Sequence, residues 1–136
     1  MIDKEIMRIA SNTENHGVLD NHTHFSKLKN SICGDNMKIY LVVENDKITN
    51  FKYECESCIY CQASVSLLSR KAKNKSIEKV KNFAQQANSC FDKNIDSFDK
   101  EWKEFDMIMT KNNIARKECL LLPINTMFDV TSKCNA

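Results

Sequence analysis

A change of period dominates what this chain can fold into. From Met37 the sequence alternates, with Met37, Ile39, Leu41 and Val43 on one side and Lys38, Tyr40 and Val42 on the other. Successive side chains of an extended strand point to opposite faces, so this is a strand with a buried face. Asn45-Asp46-Lys47 supplies a turn, and Phe51, Tyr53 and Cys55 continue on alternate positions of a second strand, completing an antiparallel hairpin. Beyond Cys58 the period lengthens to about 3.6. Ile59, Ala63 and Leu67 then recur at helical spacing, and Val65, Leu68 and Ala72 add a second stripe. A helix apolar over so wide an arc belongs at the centre of the fold, largely buried.

The remaining elements follow from weaker signals. Residues 2–10 read as a short amphipathic helix with Ile2, Ile6, Met7 and Ile9 as its apolar members, and 12–20 as a loop holding Gly17. His22 to Leu28 is a weaker strand that could join the hairpin. Ser76 can cap a helix whose Ile77, Val80, Ala84 and Ala87 share a face. Ile95, Phe98, Trp102 and Phe105 are spaced like another helix over 95–109, and a last one over about 118–130 carries Leu121, Ile124 and Phe128. A helix, then strands, then a run of helices is an α+β arrangement. With no repeat, linker or low-complexity tract, the expectation is one domain over 1–136.

Charge and cysteine content narrow the function classes. Twenty basic against 18 acidic side chains leave a net charge of +2, too balanced for a dedicated nucleic-acid binder. No apolar run approaches the length of a membrane span, and the N-terminus lacks the apolar core of a signal peptide. The expected location is cytoplasmic, with no membrane and no nucleic acid among the partners. Seven cysteines are then an odd set of thiols in a reducing compartment, where metal binding or reactivity is commoner than a disulfide framework. Arg70 to Lys81 is basic and reads as a solvated helix face. His16, His22 and His24 have no ligand spacing to the cysteines and read as loop residues.

Three segments can carry chemistry. In Cys33-Gly34-Asp35, residues i and i+2 of an extended segment point the same way, so a thiolate and a carboxylate can converge on one ion, with Gly34 permitting a sharp turn. Cys55-x-x-Cys58-x-x-Cys61 opens like a ferredoxin motif but lacks its fourth cysteine, and it lacks the second pair of a zinc ribbon. Cys58 falls near a helix N-terminus, which favours a thiolate. Cys55 and Cys61 read as core residues. Ala115-Arg116-Lys117-Glu118-Cys119 places another thiol at the start of the last helix, with Arg116 adding positive charge.

Taken together, Cys33-Gly34-Asp35, Cys58 with Ala63-Ser64-Val65-Ser66 behind it, and Ala115-Arg116…Cys119…Leu122-Pro123 resemble the IscU/SufU family, the NifU N-terminal-type scaffolds of iron–sulfur assembly. Asn15-His16-Gly17-Val18-Leu19 is similar to that family's loop after its first helix. The resemblance implies an α+β fold with a three-stranded antiparallel sheet packed by about five helices. It implies Cys33, Asp35, Cys58 and Cys119 as ligands of zinc or of a transient iron–sulfur cluster. Cys55, Cys61, Cys90 and Cys134 match no ligand position. The Arg-x-x-Cys-x-x-Leu-Pro signature and the long stretch before Cys119 lean toward the SufU branch. That branch implies sulfur taken from a cysteine desulfurase on Cys33, with Arg116 assisting ligand exchange, and downstream iron–sulfur assembly or acceptor proteins as partners.

Three positions depart from the family pattern. No Pro precedes Cys33, Ser57 stands where the family has Gly, and Glu118 stands where the SufU branch has Lys. Ser57 is expected to restrict the backbone, and Glu118 to place an anion beside the site or to become a ligand. Two other readings are a non-catalytic module stapled by structural zinc, and an electron-transfer cluster on Cys55, Cys58 and Cys61.

Overall fold

The computed structural model describes residues 4–30, 34–92 and 97–133. Ile2, Cys33, Ile95 and Cys134 therefore lie outside the described residues. A first helix, α1 (Lys4–Ala10), precedes three strands, β1 (His24–Asn30), β2 (Asp35–Glu44) and β3 (Lys47–Glu56). Three more helices follow, α2 (Ile59–Ala72), α3 (Ile77–Ser89) and α4 (Lys117–Ser132), with 3₁₀ stretches at Lys100–Met107 and Lys111–Arg116. The strands form one antiparallel sheet in the order β1-β2-β3. This is the expected α+β architecture.

The β2–β3 turn is made by Asn45 and Asp46, with φ of 53° and 61°. Two consecutive positive φ values define a type I′ hairpin, whose twist matches the strands it joins. Met37 pairs with Cys55, Ile39 with Tyr53 and Leu41 with Phe51, so the apolar sets of both strands share the core face. A register shift between Val42 and Val43 leaves Val43 half-buried, less covered than the alternation implies. On the opposite face Leu19, Tyr40 and Val42 form a small second cluster with Phe25. The open edge of β3 is partly covered by the loop after α1. Gly17 N–H donates to Tyr53 O at 2.8 Å, and Tyr53 N–H to Asn15 O at 3.2 Å.

Helix α2 is the centre. Ala63, Val65, Leu67, Leu68 and Ala72 are fully buried, and each leucine contributes about 1.5–3 kcal/mol by leaving water. The intervening serines are also buried and bond to backbone carbonyls, Ser64 to Leu120 O and Ser66 to Asn12 O. The polar positions of α2 thus stitch it to α4 and to the loop after α1. In α1 Ile6 and Ile9 are buried while Met7 is 52% exposed, which corrects its expected place on the apolar face; seven residues cannot bury a wider stripe.

The helix expected over 95–109 is a 3₁₀ stretch instead. Trp102 and Phe105 are its buried positions, with Ile108 buried just after it, and a spacing of three matches three residues per turn. Phe83 of α3 stacks on Trp102 at 4.1 Å and meets Phe105 at 4.7 Å. Three lysines of the basic run after Arg70 meet this stretch, while Lys79 stays 57% exposed as a solvated face would be. Lys79 pairs with Glu101 at 2.9 Å, Lys71 pairs with Glu104, and Lys75 lies 4.9 Å over the Trp102 ring.

Candidate metal centre

Three chain segments converge at one end of the sheet. Asp35 is the first residue of β2, and Gly34 before it has φ of +73°, a conformation that favours glycine. Cys58 is the N-cap of α2, with extended backbone at φ −71° and ψ 168°. Cys119 lies in the first turn of α4, whose N-cap is Arg116. The carboxylate and the two sulfurs all lie within 4.8 Å of one another. The packing of α2 on α4 brings the two helix starts together, and the 2.7 Å bond from Ser64 to Leu120 O fastens them there. Pro123 lies inside α4 one turn further on, and the helix continues through it to Ser132.

The donor set suits a metal ion. Zn–S and Zn–O bond lengths give a coordination tetrahedron with edges of about 3.3–3.8 Å, which small side-chain rotations reach from the observed spacing. Asp35 is 5% exposed and Cys119 1%, while Cys58 is half-buried and leaves the group open on one side. Among the described residues Asp35 Oδ2 is buried without a hydrogen-bond partner. Such an atom costs about 1–3 kcal/mol unless something meets it, and a cation would. The Cys58 and Cys119 sulfurs also lie at two helix N-termini, where the helix dipoles favour negative charge. Of the four expected ligands these three come together, and Cys33 lies outside the described residues.

Arg116 lies with its guanidinium 5.3 Å from the centroid of the Tyr60 ring. The contact joins the starts of α4 and α2. Tyr60 was not legible as a site neighbour, because an aromatic in the first turn of a buried helix has no distinguishing spacing.

Two expectations about departures from the family are corrected. Ser57 is absent from the positive-φ positions, which among the described non-glycine residues are Asn45, Asp46 and Asn74; it adopts an ordinary backbone, so no glycine is required. Glu118 is exposed and lines a recess with Asn88, Lys117 and Asn125. It is not part of the ligand group, because at its helix position it points to the α3 side.

The other described cysteines divide by burial. Cys61 is fully buried, as expected for a core residue, whereas Cys55 is half-buried. Burial pushes both thiols above the ordinary thiol value, and that of Cys90 up to about 11. None of the described cysteines is in a disulfide, and neither Cys55 nor Cys61 joins the ligand group. His16 and His22 are loop residues, but His24 opens β1, paired with Leu41, which corrects its reading as a loop residue. His16 packs edge-on to Tyr53, His22 Nδ1 meets Leu19 O at 2.6 Å, and His24 Nδ1 meets Thr23 Oγ1 at 2.8 Å.

A fold of this topology with a Cys/Cys/Asp group at the joined ends of β2, α2 and α4 defines an α+β domain with a group able to hold a metal ion. Residues 1–95 match the family model described as NifU-like N terminal domain, and the chain belongs to that family. It is 27% identical over 135 residues to the iron-sulfur cluster assembly scaffold protein IscU of Thermotoga maritima, covering 98% of this chain and 94% of the relative. It is 33% identical over 73 residues to the zinc-dependent sulfurtransferase SufU of Bacillus subtilis, covering 54% and 49%. Among solved structures, the N-terminal NifU-like protein of Brucella abortus superposes with a TM-score of 0.90 at 19% identity, covering 98% of this chain and 93% of that one. A scaffold protein of the SUF system from Fervidobacterium islandicum superposes at 0.84 and 24% identity, covering 96% of each chain. At these identities the structures speak for the fold alone.

Proposed function

We propose that this chain is an iron–sulfur assembly protein of the SufU type, which holds zinc on Cys33, Asp35, Cys58 and Cys119 and accepts sulfur from a cysteine desulfurase. The observation that carries the reading is the convergence of Asp35, Cys58 and Cys119 within 4.8 Å. It is supported by the names of the relatives, one a scaffold and one a zinc-dependent sulfurtransferase. When bound, zinc would supply a positive charge that keeps the cysteine sulfurs deprotonated.

The chain's own residues do the rest. The Cys33 thiolate attacks the outer sulfur of the desulfurase persulfide, the donor S–S bond breaks, and the donor thiolate departs. Asp35 and the sulfurs of Cys58 and Cys119 form a buried anionic group from which Cys33 can be lent. Arg116, above Tyr60, offers a cation that can take up a displaced carboxylate or thiolate. A reducing cytoplasm is the compartment in which such thiols persist.

Metal and acid-labile sulfide content of protein purified without oxygen tests the centre. One zinc per chain without sulfide is the expected result, and iron with matching sulfide would make the protein a cluster scaffold instead. Cys33→Ala is expected to lose sulfur acceptance from a desulfurase; full transfer in that variant would sink the proposed role.

A further inference from the structure

Tyr60 and Arg116 belong to the two helix starts that carry the sulfur ligands. Tyr60 follows Cys58 by two residues in the first turn of α2, and Arg116 is the N-cap of α4, three residues before Cys119. The Arg116 guanidinium lies 5.3 Å from the centroid of the Tyr60 ring, within the range at which an aromatic face attracts a cation. Tyr60 is half-buried and Arg116 is exposed.

Nothing in α4 itself favours an arginine at its N-cap. That position commonly holds Ser, Thr, Asp or Asn, whose side chains accept from the first free N–H groups. A guanidinium has no acceptor to offer, Arg116 makes no capping bond, and the dipole at a helix N-terminus disfavours a cation. A partner for its charge is nevertheless close by. The N-cap and the third helical residue are side-chain neighbours, so Arg116 stands next to Cys119, whose sulfur lies within 4.8 Å of the Asp35 carboxylate. Yet Asp35 Oδ2 is buried without a partner, and among the described residues Arg116 is in no ion pair. A guanidinium fork and a carboxylate make one of the strongest side-chain pairs, and here the two are apart.

We propose that Tyr60 is a positioning residue that holds Arg116 in reserve, off the Asp35 carboxylate, so that Asp35 stays available to the metal. An arginine closed on Asp35 would occupy the oxygens that a zinc ion needs. The hold is also easily released, because an exposed contact of this kind shifts an equilibrium by only about two- to fivefold. That strength suits an arginine that must leave the ring to take up a displaced carboxylate. The inference rests on the sulfur-transfer role proposed above for its purpose, but the competition between arginine and metal for Asp35 needs no sulfur donor.

The test is a double-mutant cycle on the intact protein, with zinc affinity read by competition with a chromophoric chelator. Tyr60→Leu removes the aromatic face and should weaken zinc binding about two- to fivefold, whereas Tyr60→Phe keeps the face and should match the parent protein. Arg116→Gln should bind zinc at least as tightly as the parent. Tyr60→Leu combined with Arg116→Gln should return to the Arg116→Gln value, a rescue that a merely structural tyrosine would not give. Unchanged affinity in Tyr60→Leu would overturn the proposal, as would a double variant as weak as Tyr60→Leu alone. An Arg116→Gln as weak as Tyr60→Leu would overturn it too, by making the contact a plain clasp between the helices. Tyr60→Met, closer in volume, repeats the cycle if the leucine variant fails to fold. Sulfur acceptance by the parent protein from a cysteine desulfurase separates the two ideas. No acceptance with the cycle as expected sinks the proposed function alone, and full acceptance without the rescue sinks the role of Tyr60 alone.

Discussion

At the scale of single residues, Asp35 is the informative position. Its Oδ2 is buried without a partner among the described residues, a cost to the metal-free protein that a bound cation would relieve. Asp35→Asn is expected to weaken zinc binding by at least about tenfold, since the one hard, anionic oxygen ligand is lost. The same variant, stripped of metal, should melt no lower than the parent protein, because an amide can donate where the carboxylate finds nothing. Competition with a chromophoric chelator and thermal denaturation of the metal-free forms read the two effects separately. A metal-free Asp35→Asn that melts well below the parent would show that Asp35 is a structural residue. Glu118 makes the opposite case. Although it is next to Cys119 in sequence, it faces Asn88 and Asn125, so Glu118→Gln should leave the zinc content unchanged. A lost or halved zinc stoichiometry would place it among the ligands after all.

At the scale of elements, the 3₁₀ stretch Lys100–Met107 depends on α3. Its buried side chains converge on Phe83, which stacks on Trp102 with an interplanar angle of 11°, touches Phe105 and lies 5.4 Å from Phe98. A short 3₁₀ helix has poor intrinsic stability, so the aromatic cluster rather than backbone propensity holds it in place. Phe83→Ala is expected to cost about 3–5 kcal/mol. It should also expose Trp102, the single tryptophan, shifting its fluorescence to the red before global unfolding. A blue, unshifted emission in a destabilised variant would mean that the stretch is held by its Lys71–Glu104 and Lys79–Glu101 pairs instead. Those pairs are exposed enough that each is expected to contribute no more than about 1 kcal/mol.

At the scale of the whole molecule, alkaline pH should act through buried phenols. Tyr40 is pushed up to about 12, first by its hydrogen bond to Glu54, and Tyr53 to about 12 by burial. The folded values lie above the ordinary 10.0, so the unfolded chain releases these protons first. Their contribution to stability is whole below about pH 10 and is lost as pH climbs from there toward 12. Thermal stability should therefore fall steeply above about pH 10, with tyrosinate absorbance appearing together with loss of structure. Tyrosinate forming fully while the fold persists would show both phenols to be freely titrating. On this same scale the division between sequence and structure becomes plain. The shift from alternation through Cys55 to helical spacing from Ile59 settled strand against helix, Asn45-Asp46 settled the hairpin, and Ser76 marked the start of α3, because periodicity and turn chemistry are properties of neighbouring residues. That Asp35, Cys58 and Cys119 belong together was suggested as well, by motifs resembling those of the family. Tertiary packing alone decided that those three side chains meet, that Glu118 turns aside, that Cys55 stays reachable while Cys61 is sealed, and that the basic run finds acidic partners. Each of these depends on which distant segments α2 and α4 bring side by side, and no local pattern along the chain encodes that adjacency.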